Sequence, residues 1–479
     1  MAILNVLLRS KLRFGVFALF LLMAPLQALA GERHLTILHF NDLHGHLEGD
    51  ADGGGAARIA TIVRGIEEKN RATGQETLVF FGGDAFTGTL ISGEFEGAAE
   101  FDFFDALPID AMVIGNHEFD YGVQRFLELE KEASFPILSA NTFVKEGGER
   151  FAKPCAVFGD VAVIGITTQE TRTSTLPENV AGLKFTDPAA EAKRAMKLKE
   201  CRAPISIALT HQGVRADVAL AEKVRGLAAV VGGHDHVSPA QYCRVVKEVP
   251  VCQTPANGRY VGRIDLTIDG RKAQLASYEL IPVSADVPED GKIAALVKTY
   301  SSKIAGRFNR VVGKANEDLP YRGKGQTRLG SIVAEAMRSA AKAEIAFINT
   351  SGLRAPLKAG PIKLKDLAEV MPFRNHVVVM ELSGFEIEKV LAHAISRRGE
   401  GGLQVAGISF EVEGKKPVDI RINGKALEPG TVYSAATVDF LASGGSGFSM
   451  LKKAKLKKAT GILVRDATAK YIEEKRVIP

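Results

Sequence analysis

The sequence predicts an α/β protein whose larger, alternating first part is followed by a smaller α/β second part. Two observations carry this reading. From about residue 33 to 285, short apolar runs of strand length alternate with longer amphipathic stretches, the texture of stacked α/β units. After Val287 a single helical stretch appears, and beyond it helix and strand patterns mix. Size and composition set the class: 479 residues exceed one ordinary core. With 46% hydrophobic and 24% charged residues, the chain has a globular balance, which excludes a disordered or fibrous protein.

The N-terminal segment reads as a secretory signal. Arg9, Lys11 and Arg13 precede the apolar run 14–24, and Ala28-Leu29-Ala30 offers small residues to a leader peptidase, with cleavage before Gly31. The run is short for a spanning helix. No cysteine follows to accept lipid, and the C-terminus carries no apolar tail. The expectation is a periplasmic or secreted product with no stable membrane anchor after cleavage. Of the net charge of +5, three units come from the signal, leaving +2 and no long run of like charge. A nucleic-acid polymer is therefore not an expected partner. Four cysteines, Cys155, Cys201, Cys243 and Cys252, suit an oxidising compartment. Cys243 and Cys252 bracket two short apolar stretches around a turn, which predicts a local disulfide, while a Cys155–Cys201 pair stays open. Nothing in the pattern specifies an oligomeric state.

Strands are predicted at 35–40, 77–81, 111–114, 136–139, 161–166, 205–209 and 228–231, with helices such as 56–69, 123–132 and 188–199 between them. Polar clusters follow several of these strands. Asp42 and His44 come after the first, Asp84 in Gly82-Gly83-Asp84 after the second, and Asn116-His117-Glu118 after the third. His211 follows a later strand, and His234 and His236 another. Strand ends of an open α/β sheet converge on one rim, where ligands bind. Seven such groups on one rim are costly to place there without a cation, and their nitrogen and oxygen donors suit zinc, manganese or iron better than calcium. His117 is placed to hydrogen-bond a phosphoryl oxygen or to assist a leaving group. Asp120, three residues on, can hold its imidazole tautomer, or cap a helix beginning near Tyr121. His39 and His46 are left out as a core or surface residue and a loop residue.

The series Asn41-Asp42-Leu43-His44-Gly45, Gly82-Gly83-Asp84, Gly115-Asn116-His117-Glu118-Phe119-Asp120 and Gly233-His234-Asp235-His236 resembles the calcineurin-like metallophosphoesterases. More narrowly it resembles the 5′-nucleotidases and periplasmic UDP-sugar hydrolases. The resemblance implies a four-layer αββα sandwich over 31–287, after a signal peptide at 1–30. It implies two divalent metal ions, zinc, manganese or similar. Asp42, His44 and His236 would hold one, Asn116, His211 and His234 the other, and Asp84 would bridge them. Such a pair acidifies water for in-line attack on phosphorus and neutralises charge on its oxygens. His117 and Asp120 would form the catalytic dyad.

The helical stretch 290–308 carries Ile293, Leu296, Val297, Tyr300 and Ile304 at helical spacing, which predicts a linker helix over 288–308. Within 309–479, helix 329–341 and strands 377–382, 407–412 and 433–438 are predicted. Here Asn349-Thr350-Ser351-Gly352-Leu353-Arg354, Met371-Pro372-Phe373 and the segment Asp439-Phe440 to Gly445 resemble the family's substrate-binding segments. By that resemblance Asn349, Gly352 and Arg354 bind substrate, Arg354 at phosphate, and Phe373 and Phe440 sandwich a base. Ser446 stands where relatives carry a ribose-binding Asp, and Thr350-Ser351 replaces two glycines. Arg322 and Arg328 compete as a further phosphate ligand. The resulting expectation is an exported 5′-nucleotidase acting on nucleoside 5′-monophosphates, with di- and triphosphates and UDP-sugars as further candidates. A 2′,3′-cyclic phosphodiesterase or other phosphomonoesterase is the alternative enzyme. A non-catalytic binding protein on the same fold is the alternative of another class.

Overall fold

The computed structural model describes residues 32–107, 109–240, 242–323, 325–396 and 402–478, so the predicted signal lies outside the described residues. Strand Arg33–Phe40 is buried along its last six residues, Leu35 to Phe40, which are apolar but for Thr36 and His39, as suits a strand covered on both faces. It pairs in parallel with Glu76–Phe81, and the sheet continues through Ala111–Val113 to Ile137–Leu138. On its other side it pairs antiparallel with Tyr260–Asp269, which forms a hairpin with Lys272–Pro282. A second six-stranded sheet has the order Cys243–Val246, Val249–Gln253, Leu227–Gly232, Ile205–His211, Val161–Thr167, Cys155–Phe158.

Side-chain alternation sorts these strands into layers. Leu35, Ile37, Leu78 and Phe80 of the first sheet share a core with Val161, Val163, Ile207 and Val231 of the second. On the outer faces, Leu38, Phe40, Val79 and Phe81 share a core with residues of helices Ala56–Ala72 and Ala98–Ala106. Ile164, Ile166, Ala208 and Val230 do the same with Pro188–Ala195 and Val214–Lys223. The result is the αββα sandwich. Each fully buried Leu, Ile, Val or Phe contributes about 1.5–3 kcal/mol, so packing of the layers, more than local propensity, decides where the strand ends point. Both cysteine pairs are disulfides, Cys155–Cys201 and Cys243–Cys252. The first ties a strand to the turn Lys199–Cys201, and the helix predicted to reach 199 stops at Ala195.

Helix Gly291–Phe308 opens with Asp290, whose carboxylate accepts the Ile293 N–H at 3.0 Å. Its Ile293 and Val297 are buried in the first sandwich, and Phe308 packs with Leu90 and Ala368. The second part has its own core around a five-stranded sheet ordered Leu403–Ala406, Ile345–Asn349, Val432–Val438, His376–Ser383, Lys455–Leu463. Helices Arg328–Ala341, Gly384–Ser396 and Val464–Lys475 contribute buried residues to that core. Among the described residues, no strand of one part pairs with a strand of the other.

Candidate active site

The seven predicted ligands are brought together, because the strands that deliver them run side by side and end on one rim. His44 Nδ1 faces the carbonyls of Phe86 and Thr87 at 3.2 and 2.9 Å, which assigns its proton there and leaves Nε2 a bare acceptor. That Nε2 lies 2.9 Å from Nε2 of His236, and His236 Nε2 is 3.3 Å from Asp42 Oδ1. On the other side, His211 Nδ1 donates to the Gly82 carbonyl at 2.7 Å, and its Nε2 lies 3.0 Å from Asp84 Oδ2. Asp42–His44–His236 and Asp84–His211–His234 each form a group of donor atoms close enough to share one ion. Asp42, His44, Asp84, His234 and His236 all adopt the left-handed backbone conformation at φ between 47° and 97°. Each such non-glycine position costs on the order of 1–3 kcal/mol, so the surrounding sandwich must hold them there.

The dyad is also assembled. His117 Nδ1 lies 2.6 Å from Asp120 Oδ2, and the other Asp120 oxygen accepts the Thr175 hydroxyl at 2.7 Å. Asn179 Nδ2 donates to the carbonyls of Phe119 and Asp120, both at 2.9 Å. The next helix begins at Val123 with Gly122 as its cap, so Asp120 serves the imidazole and does not cap that helix. Burial pulls the His117 imidazole down, but the Asp120 and Asp84 carboxylates together outweigh it and raise its pKa. Glu118, between the two dyad residues, accepts the N–H groups of Gly115, Asp84 and Ala85 at 2.6, 3.0 and 2.6 Å. It thereby ties the turn that carries Asp84 to the turn that carries Asn116.

The second part of the chain closes over this rim. A cavity of about 730 Å³ is lined by Asp84, Asn116, His117, Asp120, His234 and His236 from one side and by Asn349, Arg354, Phe373, Phe440 and Ser446 from the other. The Phe373 ring centroid lies 5.9 Å from that of His117, and the Arg354 guanidinium 5.8 Å from the Phe373 ring. Gly445 has a steric role, since a Cβ there would meet the Phe440 ring at 2.4 Å. Gly352 is buried beside Asn349, off the cavity wall. Of the two competing arginines, Arg322 lines the cavity, whereas Arg328 pairs with Glu317 outside it.

This architecture has known counterparts. The family profile for calcineurin-like phosphoesterases matches residues 35–238, and that for the 5′-nucleotidase C-terminal domain matches 311–453. Protein UshA of Yersinia enterocolitica is 31% identical, covering 96% of this chain and 95% of its own. The chain belongs to the 5′-nucleotidase family. Within that family, the human 5′-nucleotidase is 30% identical over 95% of this chain and 91% of its own. A crystal structure of a 5′-nucleotidase precursor from Thermus thermophilus superimposes with a TM-score of 0.83 at 28% identity, covering 93% of this chain and 97% of that one.

The donor set of this 5′-nucleotidase family member fits a metal cluster. Asp42 Oδ2 accepts from Asn41 Nδ2 and from the His234 N–H at 2.6 and 2.9 Å, while Oδ1 is buried without a hydrogen-bond partner. Asn116 Oδ1 is buried and unpartnered in the same way, and His211 Nε2, 3.0 Å from Asp84 Oδ2, makes no hydrogen bond of good geometry. Leaving three polar atoms so would cost about 1–3 kcal/mol each, and a cation among them removes that cost. Burial would raise the Asp42 and Asp84 carboxyls, yet the imidazoles around them hold both below the usual carboxylate range. Burial and neighbouring cationic groups keep His44 neutral. Ionised carboxylates and a neutral His44 suit a cation, whereas at His211 burial is outweighed by the Asp84 carboxylate, which pushes that imidazole up to about 10, so His211 must release a proton to bind one. Sequence reasoning missed the supports. Asn41 and Asp439 stand within the family-like motifs without a role of their own, Thr175 and Asn179 lie in none, and Arg374 and Asn375 reach the cavity wall only through the fold.

Proposed function

We propose that this chain is an exported 5′-nucleotidase that uses two divalent metal ions to release phosphate from nucleoside 5′-monophosphates, and also acts on nucleoside di- and triphosphates and UDP-sugars. One observation supports it above the others: a single cavity joins the acidic and imidazole cluster, the His117–Asp120 pair, a guanidinium and two phenylalanine rings. When bound, the cations supply an activated water and neutralise charge on the phosphoryl group. Asp42, His44 and His236 would hold one, Asn116, His211 and His234 the other, and Asp84 would be shared. Arg354 offers a planar fork to phosphate oxygens. His117, its Nδ1 engaged by Asp120, presents Nε2 to the reacting group, where its raised pKa favours donating a hydrogen bond or a proton to a phosphoryl or leaving oxygen. Phe373 and Phe440 give faces on which a base stacks, and Ser446 offers a hydroxyl towards ribose.

Export is part of the proposal. The basic, apolar and small-residue order of 9–30 supports it, as do two disulfides. No described helix is long and apolar enough to cross a membrane. We place the metallophosphoesterase domain at 31–287, the linker at 288–308 and the substrate-binding domain at 309–479. Consumption of AMP, ATP, UDP-glucose, 2′,3′-cyclic AMP and an aryl phosphate, with nucleotide, nucleoside and phosphate products separated, tests the substrate assignment. The 5′-nucleotides should lead, and a preference for the cyclic or aryl ester would overturn that assignment.

A further inference from the structure

One buried carboxyl has no part in the chemistry above. Asp217 is 1% exposed, in the first turn of helix Val214–Lys223. Its Oδ1 accepts the Thr210 hydroxyl at 2.6 Å and Gln212 Nε2 at 3.0 Å, the two residues that flank His211. Its Oδ2 is seated so close to Gly232 that a Cβ on that glycine would lie 2.2 Å from it. Gly232 stands two residues before His234. The backbone pairing between the two strands concerned ends at Val231 and Leu209, just short of both imidazoles. From that point the Asp217 carboxyl bridges the two strand ends. Thr210 points to the opposite face from His211, because side chains alternate along a strand, so the carboxyl holds the side chains on either side of the ligand.

We propose that Asp217 is a positioning residue that sets His211 and His234 for the metal they share with Asn116, without touching metal or substrate itself. The inference rests on the ligand assignment made under the proposed function. Outer partners of metal ligands are worth about 10–100-fold in metal affinity, and one that braces two ligands of a single ion acts on that ion alone.

The test is a competition titration of the metal-stripped chain with Zn²⁺ against a chromophoric chelator, for wild type, Asp217→Ala, Asp217→Asn and Gly232→Ala. Asp217→Ala should weaken one of two zinc equivalents by about 10–100-fold and leave the other unchanged. Gly232→Ala, which displaces the carboxyl without altering it, should do the same. Asp217→Asn keeps an oxygen for Thr210 and should recover most of the affinity. KM for AMP should hold, while kcat falls at limiting zinc and returns at saturation. Should Asp217→Ala fail to fold, Thr210→Val removes one of the bonds with little change of shape and must show the same single-site weakening. Folded variants that bind both equivalents like wild type, or lose both equally, overturn the positioning role and leave the ligand assignment standing. A wild-type chain that binds no zinc overturns the assignment itself, and the positioning role with it.

Discussion

His117 owes its chemistry to its neighbours: Asp120 fixes which nitrogen carries the proton, and Asp120 and Asp84 together make the imidazolium favourable despite burial. Replacing it with Ala should lower kcat by about 10²–10⁴-fold while bound zinc, measured by elemental analysis, stays at the wild-type level. Loss of zinc in step with activity would instead make His117 a ligand. Ser446 is the other residue with a definite consequence. A neutral hydroxyl binds ribose less strongly than a carboxylate, by about 1 kcal/mol. Ser446→Asp should therefore lower KM for AMP by roughly five- to tenfold and leave KM for an aryl phosphate unchanged. A parallel change in both would remove Ser446 from the ribose side. At this scale the sequence was most legible where partners sit close along the chain, as Asn116, His117 and Asp120 do. Thr175 lies 55 residues from the Asp120 it steadies, and Asp217, on a helix, comes close to Gly232 at the end of the next strand. No local pattern announces such contacts.

Among the elements, helix Ala98–Ala106 carries an unusual burden. Glu100 is fully buried, and neither of its carboxylate oxygens makes a hydrogen bond of good geometry among the described residues. Burial pushes its pKa up to about 7, offset in part by the Ser92 hydroxyl. The folded chain therefore holds this proton at a pH where the unfolded chain has released it. Stability should fall as pH rises from about 4.5 to about 7, by on the order of 3 kcal/mol from this group. Glu100→Gln should flatten that part of the melting-temperature profile, measured in chelator, and an unchanged slope would refute it. The parallel strands of the sandwich were readable because burial on both faces leaves largely apolar runs, unbroken in Val161–Ile166 and interrupted by Thr36 and His39 in Leu35–Phe40. The hairpin Tyr260–Pro282 was not read. Its outer strand is largely exposed, with an irregular pairing at Asp265–Leu266, and so lacks a clear apolar signature. Helices Gly384–Ser396 and Val464–Lys475 were missed too: the first lies in broadly hydrophobic sequence, and the second is short and weakly amphipathic, so packing, more than periodicity, defines them.

For the whole molecule, what matters is how the two parts meet. Polar contacts join the two parts, Arg374 with Glu96 at 2.8 Å, Arg465 with Glu94 at 3.6 Å, and the Ser443 hydroxyl with Glu178 at 2.8 Å, beside a small apolar cluster of Leu90, Phe308 and Ala368. An exposed pair such as Arg374–Glu96 contributes about 0–1 kcal/mol. The cavity is walled by both parts, with Phe373 of the second against His117 of the first, so exchange of a nucleotide should require the parts to separate, with helix Gly291–Phe308 at the hinge. A disulfide engineered across the Glu96–Arg374 contact should abolish multiple turnover when oxidised and restore it on reduction. Undiminished oxidised activity would contradict the movement.

The central claim is that Asn116 and its neighbours hold metal for phosphate-ester hydrolysis in this cavity. Phosphate release from AMP by the metal-stripped chain, titrated with manganese, zinc or cobalt, tests it most directly, with Asn116→Ala alongside. Activity absent in chelator, restored by one of these ions and missing in Asn116→Ala at the same metal concentration is the result the structure predicts. Release that persists without metal, or that Asn116→Ala retains in full, would contradict it.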